Sequence, residues 1–397
     1  MLLNRLRPAN SLRKTLLILV LLPVLSALGW WYFHQRQIPS FGPAYHEYAY
    51  VTNGKSNTVS VIDLRTFRLT KTLKVGTSPT GIAANSKKNE IYVVNSGSAN
   101  VSVIDAERNE VVATIGVHGM PYFIDVSADG ARGYVANSAS ANVSVIDLAS
   151  RKVLSTIRVG NAPGLARVSP DGTTVVVSNR ADNSVTLIDA QKSVVRATLP
   201  ICQEPTDVAI LPDSSKAFVA CSGSAQVASI DLKNEKLIAL LDVGKTPAAL
   251  ALKPDGGELI VCNFDSDNIS IIETTTDEVS GSYLIGTHPS RALVSADNSR
   301  LYVSNFGSNS VAVYDIDMGR LIAALPVGSQ PDALALDASQ NYLLVLDSQS
   351  GDVTVIQKRK PRKLEPGEYG LLTMIPAGVQ PNNVVVKSFM LPAKPQK

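Results

Sequence analysis

Charge, histidine, cysteine and helical periodicity are all scarce in this 397-residue chain, and each scarcity removes a class of function. Charged residues make up only 18% of it while apolar residues reach 45%, a mix too apolar for disorder. The net charge of +3 comes from Arg5, Arg7, Arg13 and Lys14, all ahead of the first acidic residue, Glu47; the remainder of the chain sums to −1. A nearly neutral body leaves no electrostatic footprint for nucleic acid, so that partner is set aside. Four histidines are too few for a multi-copper reductase. The three cysteines, Cys202, Cys221 and Cys262, lack C-x-x-C and C-x-x-C-H spacing, which argues against thioredoxin chemistry and covalent c-type haem. Asp265-Ser266-Asp267 lacks the Gly and distal Glu of a calcium-binding EF-hand loop and reads as a hairpin turn. No metal site and no bound cofactor are therefore expected.

What the N-terminus does have is a targeting signal. A basic segment, residues 1–14, precedes an uncharged run from Thr15 to Phe33, long enough to span a bilayer as one helix. Trp30, Trp31 and Tyr32 close the run, where amphipathic rings suit the headgroup interface. The basic side predicts a cytoplasmic N-terminus and an exported body, in the periplasm or outside the cell. Residues 15–33 are read as an uncleaved signal anchor that ties the protein to the membrane. A cleaved signal peptide is the competing reading, with small residues at Ala27-Leu28-Gly29.

The body repeats every 42 residues. An Asn after a short apolar strand recurs at Asn53, Asn95, Asn137, Asn179, Asn263 and Asn305, with Cys221 and Asp347 in the two remaining places. A V-S-V-I-D-like segment ends ten residues later each time, at Asp63, Asp105, Asp147, Asp189, Asp231, Glu273, Asp315 and Gln357. A Pro follows at Pro79, Pro121, Pro163, Pro205, Pro247, Pro289 and Pro331; the eighth, Pro381, is displaced by an eight-residue insertion within 358–370. Each copy holds four short segments rich in Val, Ile and Tyr, separated by turns such as Ser169-Pro170-Asp171-Gly172. In the second copy the strands are read as Tyr122–Val126, Ile91–Asn95, Val101–Asp105 and Val111–Val117. No helix-period segment appears after residue 33.

Four antiparallel strands per repeat of about 40 residues is the arithmetic of a propeller blade. The expected fold is all-β, an eight-bladed β-propeller of four-stranded blades preceded by one N-terminal transmembrane helix. Because the chain enters at Tyr48–Asn53, a second strand, the missing innermost strand of that blade must come from Asn382–Val386 and close the ring. Seven blades with a stray eighth copy is the alternative, and it leaves four good strands unused. The expected organisation is 1–14 basic segment, 15–33 anchor, 34–47 linker, 48–389 propeller and 390–397 tail.

Tyr50-Val51-Thr52-Asn53, Val59-Ser60-Val61-Ile62-Asp63 and Val75-Gly76 before Pro79 resemble the repeat of the YVTN β-propeller family, which includes YncE-like periplasmic proteins. The resemblance covers residues 48 to about 390 and implies the fold. It implies little about function, since these repeats serve proteins of differing roles. Many members look seven-bladed, so a count of eight is a departure.

Candidate functional residues are those that depart from the repeat's own consensus. The loop before each Pro and the end of each second strand must open on one face, because strands alternate in direction. On that face Cys202 and Cys221 replace a Gly and an Asn of the same blade, and in an exported protein they are a candidate disulfide. Cys262 reads as a buried free thiol. His118 replaces a Gly and His288 precedes Pro289, four repeats apart and therefore across the ring, too far apart to share a metal ion. Asp125, Arg167, Asp207, Arg291 and Asp332 place charge on innermost strands, with Tyr122 beside Pro121. Charge there must be paired or wet. It either forms inter-blade ion pairs, with Asp125 and Arg167 the obvious couple, or lines a polar funnel that grips a ligand. No tryptophan follows Trp31, so the docking motif of quinone-dependent propeller dehydrogenases is missing. The expected function is a non-catalytic scaffold that binds a protein or small molecule over its pore. The alternative is a propeller enzyme or cofactor-handling protein, lactonase-like or haem-binding.

Overall fold

Among the described residues, valine-rich runs and small polar turns build 32 strands, arranged as eight four-stranded sheets around an axis. The computed structural model describes residues 42, 44–359 and 367–391; the expected basic segment, the anchor and most of the linker and tail lie outside them. Among the described residues no helix is long and apolar enough to cross a membrane. The chain divides into two units, His46–Phe389, which carries the ring, and Met1–Tyr45 with Met390–Lys397.

Blade 1 runs, from the axis outwards, Pro381–Met390, Tyr45–Asn53, Thr58–Asp63 and Arg68–Lys74. Blades 2 to 8 each use four consecutive strands, their innermost ones starting at Pro79, Pro121, Pro163, Pro205, Pro247, Pro289 and Pro331. The closing strand is thus the C-terminal one, as the strand count required, and the ring has eight blades. Three details differ from the sequence reading. Ile91–Asn95 pairs inwards with Pro79–Ala84, whereas Tyr122–Val126 opens blade 3. The reason is connectivity, since the chain crosses from the outer strand of one blade to the innermost strand of the next. The first strand begins at Tyr45, so residues 45–47 are not linker, and Met390 ends a strand rather than starting a tail.

The Tyr-Val-Thr-Asn signature has a physical explanation at each position. Tyr50 is fully buried and its Oη donates to Asn109 Oδ1 of blade 2, 2.5 Å away, joining neighbouring blades. Val51 packs in a layer shared with blade 8, beside Leu344, Leu346 and Val355. Thr52 Oγ1 donates to Asn382 Oδ1 at 2.6 Å and so holds the closing strand. Asn53 Nδ2 reaches Ser60 Oγ on the third strand at 3.0 Å.

That Asn clasp recurs. Asn95 donates to Asn100 Oδ1 (2.8 Å) and Ser102 Oγ (2.9 Å), and Asn137, Asn179 and Asn263 do the same with their own third strands. In six of the eight repeats a Gly stands three residues before the Pro, and it lies against the Asn position: a Cβ on Gly76 would stand 2.7 Å from Asn95 Cβ, and one on Gly160 2.8 Å from Asn179 Cβ. In blade 7 Ala312 has no hydroxyl, and Asn305 turns its amide to Ile285 O instead. The Asn, the third-strand hydroxyl and the Gly before the Pro are therefore one packing unit, repeated. Core layers lie between adjacent blades rather than within one, as where Val176, Val185 and Leu187 meet Val208, Val219 and Ile230. Each such aliphatic side chain contributes about 1.5–3 kcal/mol on burial.

Candidate functional site

In blades 2 to 8 each innermost strand begins with a Pro paired to the last residue of the second strand, as in Pro79↔Asn95 and Pro205↔Cys221, and a register shift follows at once. The shift splays the next residues towards the axis. They surround a cavity of about 410 Å³ on the face where the innermost strands start. Its size is that of a small-molecule site. The polar and aromatic lining includes Tyr122, Arg167, Arg180, Asp207, Arg291 and Asp332.

Five of the eight candidate ligand-binding residues thus share one cavity: Tyr122, Arg167, Asp207, Arg291 and Asp332. Tyr122 is half exposed at its wall. Asp125, His118 and His288 are not part of the lining. Asp125 and Arg167 do not form the expected ion pair. The Asp125 carboxyl instead accepts from Val126 N (3.1 Å) and from Val168 N of blade 4 (3.0 Å), clasping two innermost strands whose axial edges have no sheet partner. Burial raises its pKa, against the opposing pull of Arg167 and the two amides. Asp207 repeats this clasp between blades 5 and 6, accepting from Val208 N (2.9 Å) and Leu250 N (3.0 Å). Its Oδ2 also lies 3.9 Å from Arg291 Nη1. Burial works to lower the Arg291 pKa, but Asp207 and Asp332 outweigh it and hold that pKa above its ordinary value. Burial raises the Asp332 pKa against the opposing charge of Arg291.

Arg167 has a different environment. Its guanidinium stands over the Phe123 ring, 4.6 Å from the centroid, a cation–π contact that leaves its donors free. Arg180, which the sequence reading missed, follows Asn179 and lays its stem over Gly164, whose Cβ would be 3.6 Å from Arg180 Cδ. Among the described residues neither guanidinium has an ion pair or a side-chain hydrogen bond. The signal for Arg180 was available. Its column elsewhere reads Gly54, Ser96, Ser138, Ser222, Phe264, Phe306 and Ser348, so a long cation there is a departure as plain as Arg167.

The two histidines sit away from the axis. His118 cannot take the place of the small Gly against Asn137, and its exposed ring reaches Thr156 Oγ1 on the outer strand of blade 3, with Nε2 at 3.0 Å. His288 stacks on Phe264, 4.6 Å between ring centroids and 10° from parallel. Cys202 and Cys221 are joined in a disulfide with Cα atoms 5.7 Å apart. The bond occupies the site where other blades press Gly on Asn, and Ala228 has lost the hydroxyl that an Asn would need. Cys262 is a buried free thiol whose pKa burial pushes up to about 12, which keeps it protonated. Among the described residues no cluster of three His, Cys, Asp or Glu could hold a metal ion.

Fold and cavity define an eight-bladed propeller with a charged axial pocket. Residues 19–169 match the family of YNCE-like beta-propellers, and residues 274–370 match the 7-bladed beta-propeller lactonases. Together with the blade architecture, these partial matches support a likeness to the YVTN/YncE-like propeller family. No curated protein matches the sequence. Among solved structures it is similar to hydrazine synthase of Kuenenia stuttgartiensis, at 22% identity and TM-score 0.59, over 71% of this chain and 97% of that one. It is also similar to the dihydro-heme d1 dehydrogenase NirN in complex with DHE, at 13% identity and TM-score 0.70, over 85% and 74%. A functionally unknown protein from Desulfotomaculum acetoxidans matches at 16% identity and TM-score 0.59, over 75% and 99%. Likeness at these identities shows the fold alone.

Proposed function

We propose that this protein is an exported, membrane-tethered binding scaffold that holds a ligand in its axial cavity and does no chemistry on it. One observation carries the reading: the side chains that break the repeat's consensus on the innermost strands converge on one cavity. Consensus positions keep blades packed, so departures concentrated at the axis mark what the ring surrounds. The cavity's carboxylates support binding over catalysis, because Asp207 already spends both oxygens on backbone amides and Arg291. Export is supported by the apolar run 15–33 and by the Cys202–Cys221 bond, which suits an oxidising compartment.

The haem-handling alternative draws on the likeness to NirN, but the cavity lining holds no His, Cys or Met to reach an iron, and His118 and His288 lie outside it. The lining does not fit a haem held by His, Cys or Met. The deciding experiment is a native mass and a UV–visible spectrum of the full-length protein, purified without reducing agent. A scaffold gives no Soret band and, with Cys202 and Cys221 bonded, a mass two protons light. A Soret band, or turnover lost in Asp207→Ala, refutes this reading.

A further inference from the structure

We infer that the axial cavity is an anion site, in which Arg167 and Arg180 of blade 4 clamp the carboxylate or phosphate of a small ligand. This rests on the binding-scaffold reading and adds the chemistry of what is bound. Most other charges lining the cavity are already engaged. Asp207 is turned to two amides and Arg291, and Arg291 lies between Asp207 and Asp332 in the field of both. Asp125, an acid in the field of Arg167, has given its oxygens to Val126 and Val168. Arg167 and Arg180 are the exception, two planar five-donor groups on one blade, facing one cavity, with no protein acceptor among the described residues.

Both are positioned for a ligand rather than for the fold. Phe123 holds the Arg167 fork from beneath, and the Arg180 stem lies along Gly164, whose Cβ position is 3.6 Å from Arg180 Cδ. Neither residue is needed by a blade. The equivalents of Arg167 are Ala83, Ala209, Ala251 and Ala335 in four other repeats, and those of Arg180 are mostly Ser. Guanidinium forks suit carboxylate and phosphate oxygens. Across the ring, in blade 8, Asp332 faces the same cavity. The wall charges therefore orient the ligand, anionic group towards blade 4 and a neutral or cationic end towards Asp332.

The test uses the full chain at low ionic strength, with inorganic phosphate and benzoate as separate probes, read by ligand-detected NMR and thermal shift. Both positions of the variant Arg167→Ala/Arg180→Ser restore residues found in other repeats, so its melting temperature without probe checks that the ring is intact. Each guanidinium removed should weaken binding by about tenfold or more, from the usual strength of a charge-assisted hydrogen bond. Asp332→Asn should strengthen binding of both probes. Phosphate alone binding points to a phosphate ester as the natural ligand, and benzoate alone to a carboxylate; either upholds the site. Binding that survives the double variant, or no binding of either probe to the wild type, overturns it. A neutral ligand found in the cavity overturns the anion assignment but leaves the scaffold reading. Turnover of a probe overturns the scaffold reading and leaves the clamp.

Discussion

Asp347 stands where most blades have the clasping Asn, and replacing it with Asn should stabilise the ring in a pH-dependent way. In five of the other blades an amide N–H donates to the third strand; here Thr354 Oγ1 donates to Asp347 Oδ2 at 2.6 Å, and Asp352 stands directly opposite in the register. An ionised carboxylate cannot donate to a second carboxylate. Burial and Asp352 together push the Asp347 pKa up to about 7, from 3.8, with Thr354 pulling the other way. The folded state therefore keeps a proton that the unfolded chain has released. Stability from this group is complete below pH about 4, falls as pH rises, and is fully lost above about 7. At 1.36 kcal/mol per unit the full width is about 4 kcal/mol, an upper figure because the proton is shared with a neighbouring acid. Asp347→Asn supplies the missing N–H and cannot ionise. The assay is urea unfolding of wild type and variant at pH 4, 6 and 8, comparing midpoints at equal slope so that other titrating groups cancel. The variant should gain little at pH 4 and several kcal/mol at pH 8. A difference independent of pH, or a variant less stable at pH 8, refutes the reasoning.

Three further outcomes are expected. Cys202→Ser should lower stability by about 2–4 kcal/mol under oxidising conditions and by far less under reduction, since the bond closes a loop across 19 residues of sequence; chemical denaturation with and without reductant reads this. Gly76→Ala should cost about 1–3 kcal/mol, because its Cβ would meet Asn95 at 2.7 Å, whereas the same change at Gly116, which faces open space, should cost less than 1 kcal/mol. Asp207→Ala should destabilise by about 1–3 kcal/mol by freeing the Val208 and Leu250 amides and leaving Arg291 short of a partner. Thermal unfolding checks both.

The blade count and the closing strand were legible because they are set by connectivity and periodicity, which a single sequence carries in full. The misplacement of Tyr122–Val126 shows the limit of that information. Period and strand propensity say that a segment is a strand, but only the crossover between blades decides which sheet receives it. The clasp itself was half visible. Asn, Ser and Gly recur in step at positions such as Asn95, Ser102 and Gly76, yet nothing in spacing alone says that the three touch.

For the site, departure from consensus found residues of two physical kinds and could not separate them. Asp125 and Asp207 depart because an innermost strand has unpaired amides, and a carboxylate can staple them to the next blade. Arg167 departs with no such debt to the fold, since among the described residues its guanidinium has no ion pair or hydrogen-bond acceptor. In one dimension the two kinds look alike, and pairing Asp125 with Arg167 by sign was the natural error. What separates them is the partner each side chain has in space. His118 makes the same point from the other side: a histidine in a glycine's place looks functional, but the lack of room over Asn137 explains why its ring swings out to Thr156. Arg180 lies neither on an innermost strand nor before a Pro; the cavity wall also draws on the position after a second strand, as at Ser138 and Arg180. In a repeat ring the binding residues are therefore the charges, in any column that opens on the entry face, that the ring itself leaves unanswered.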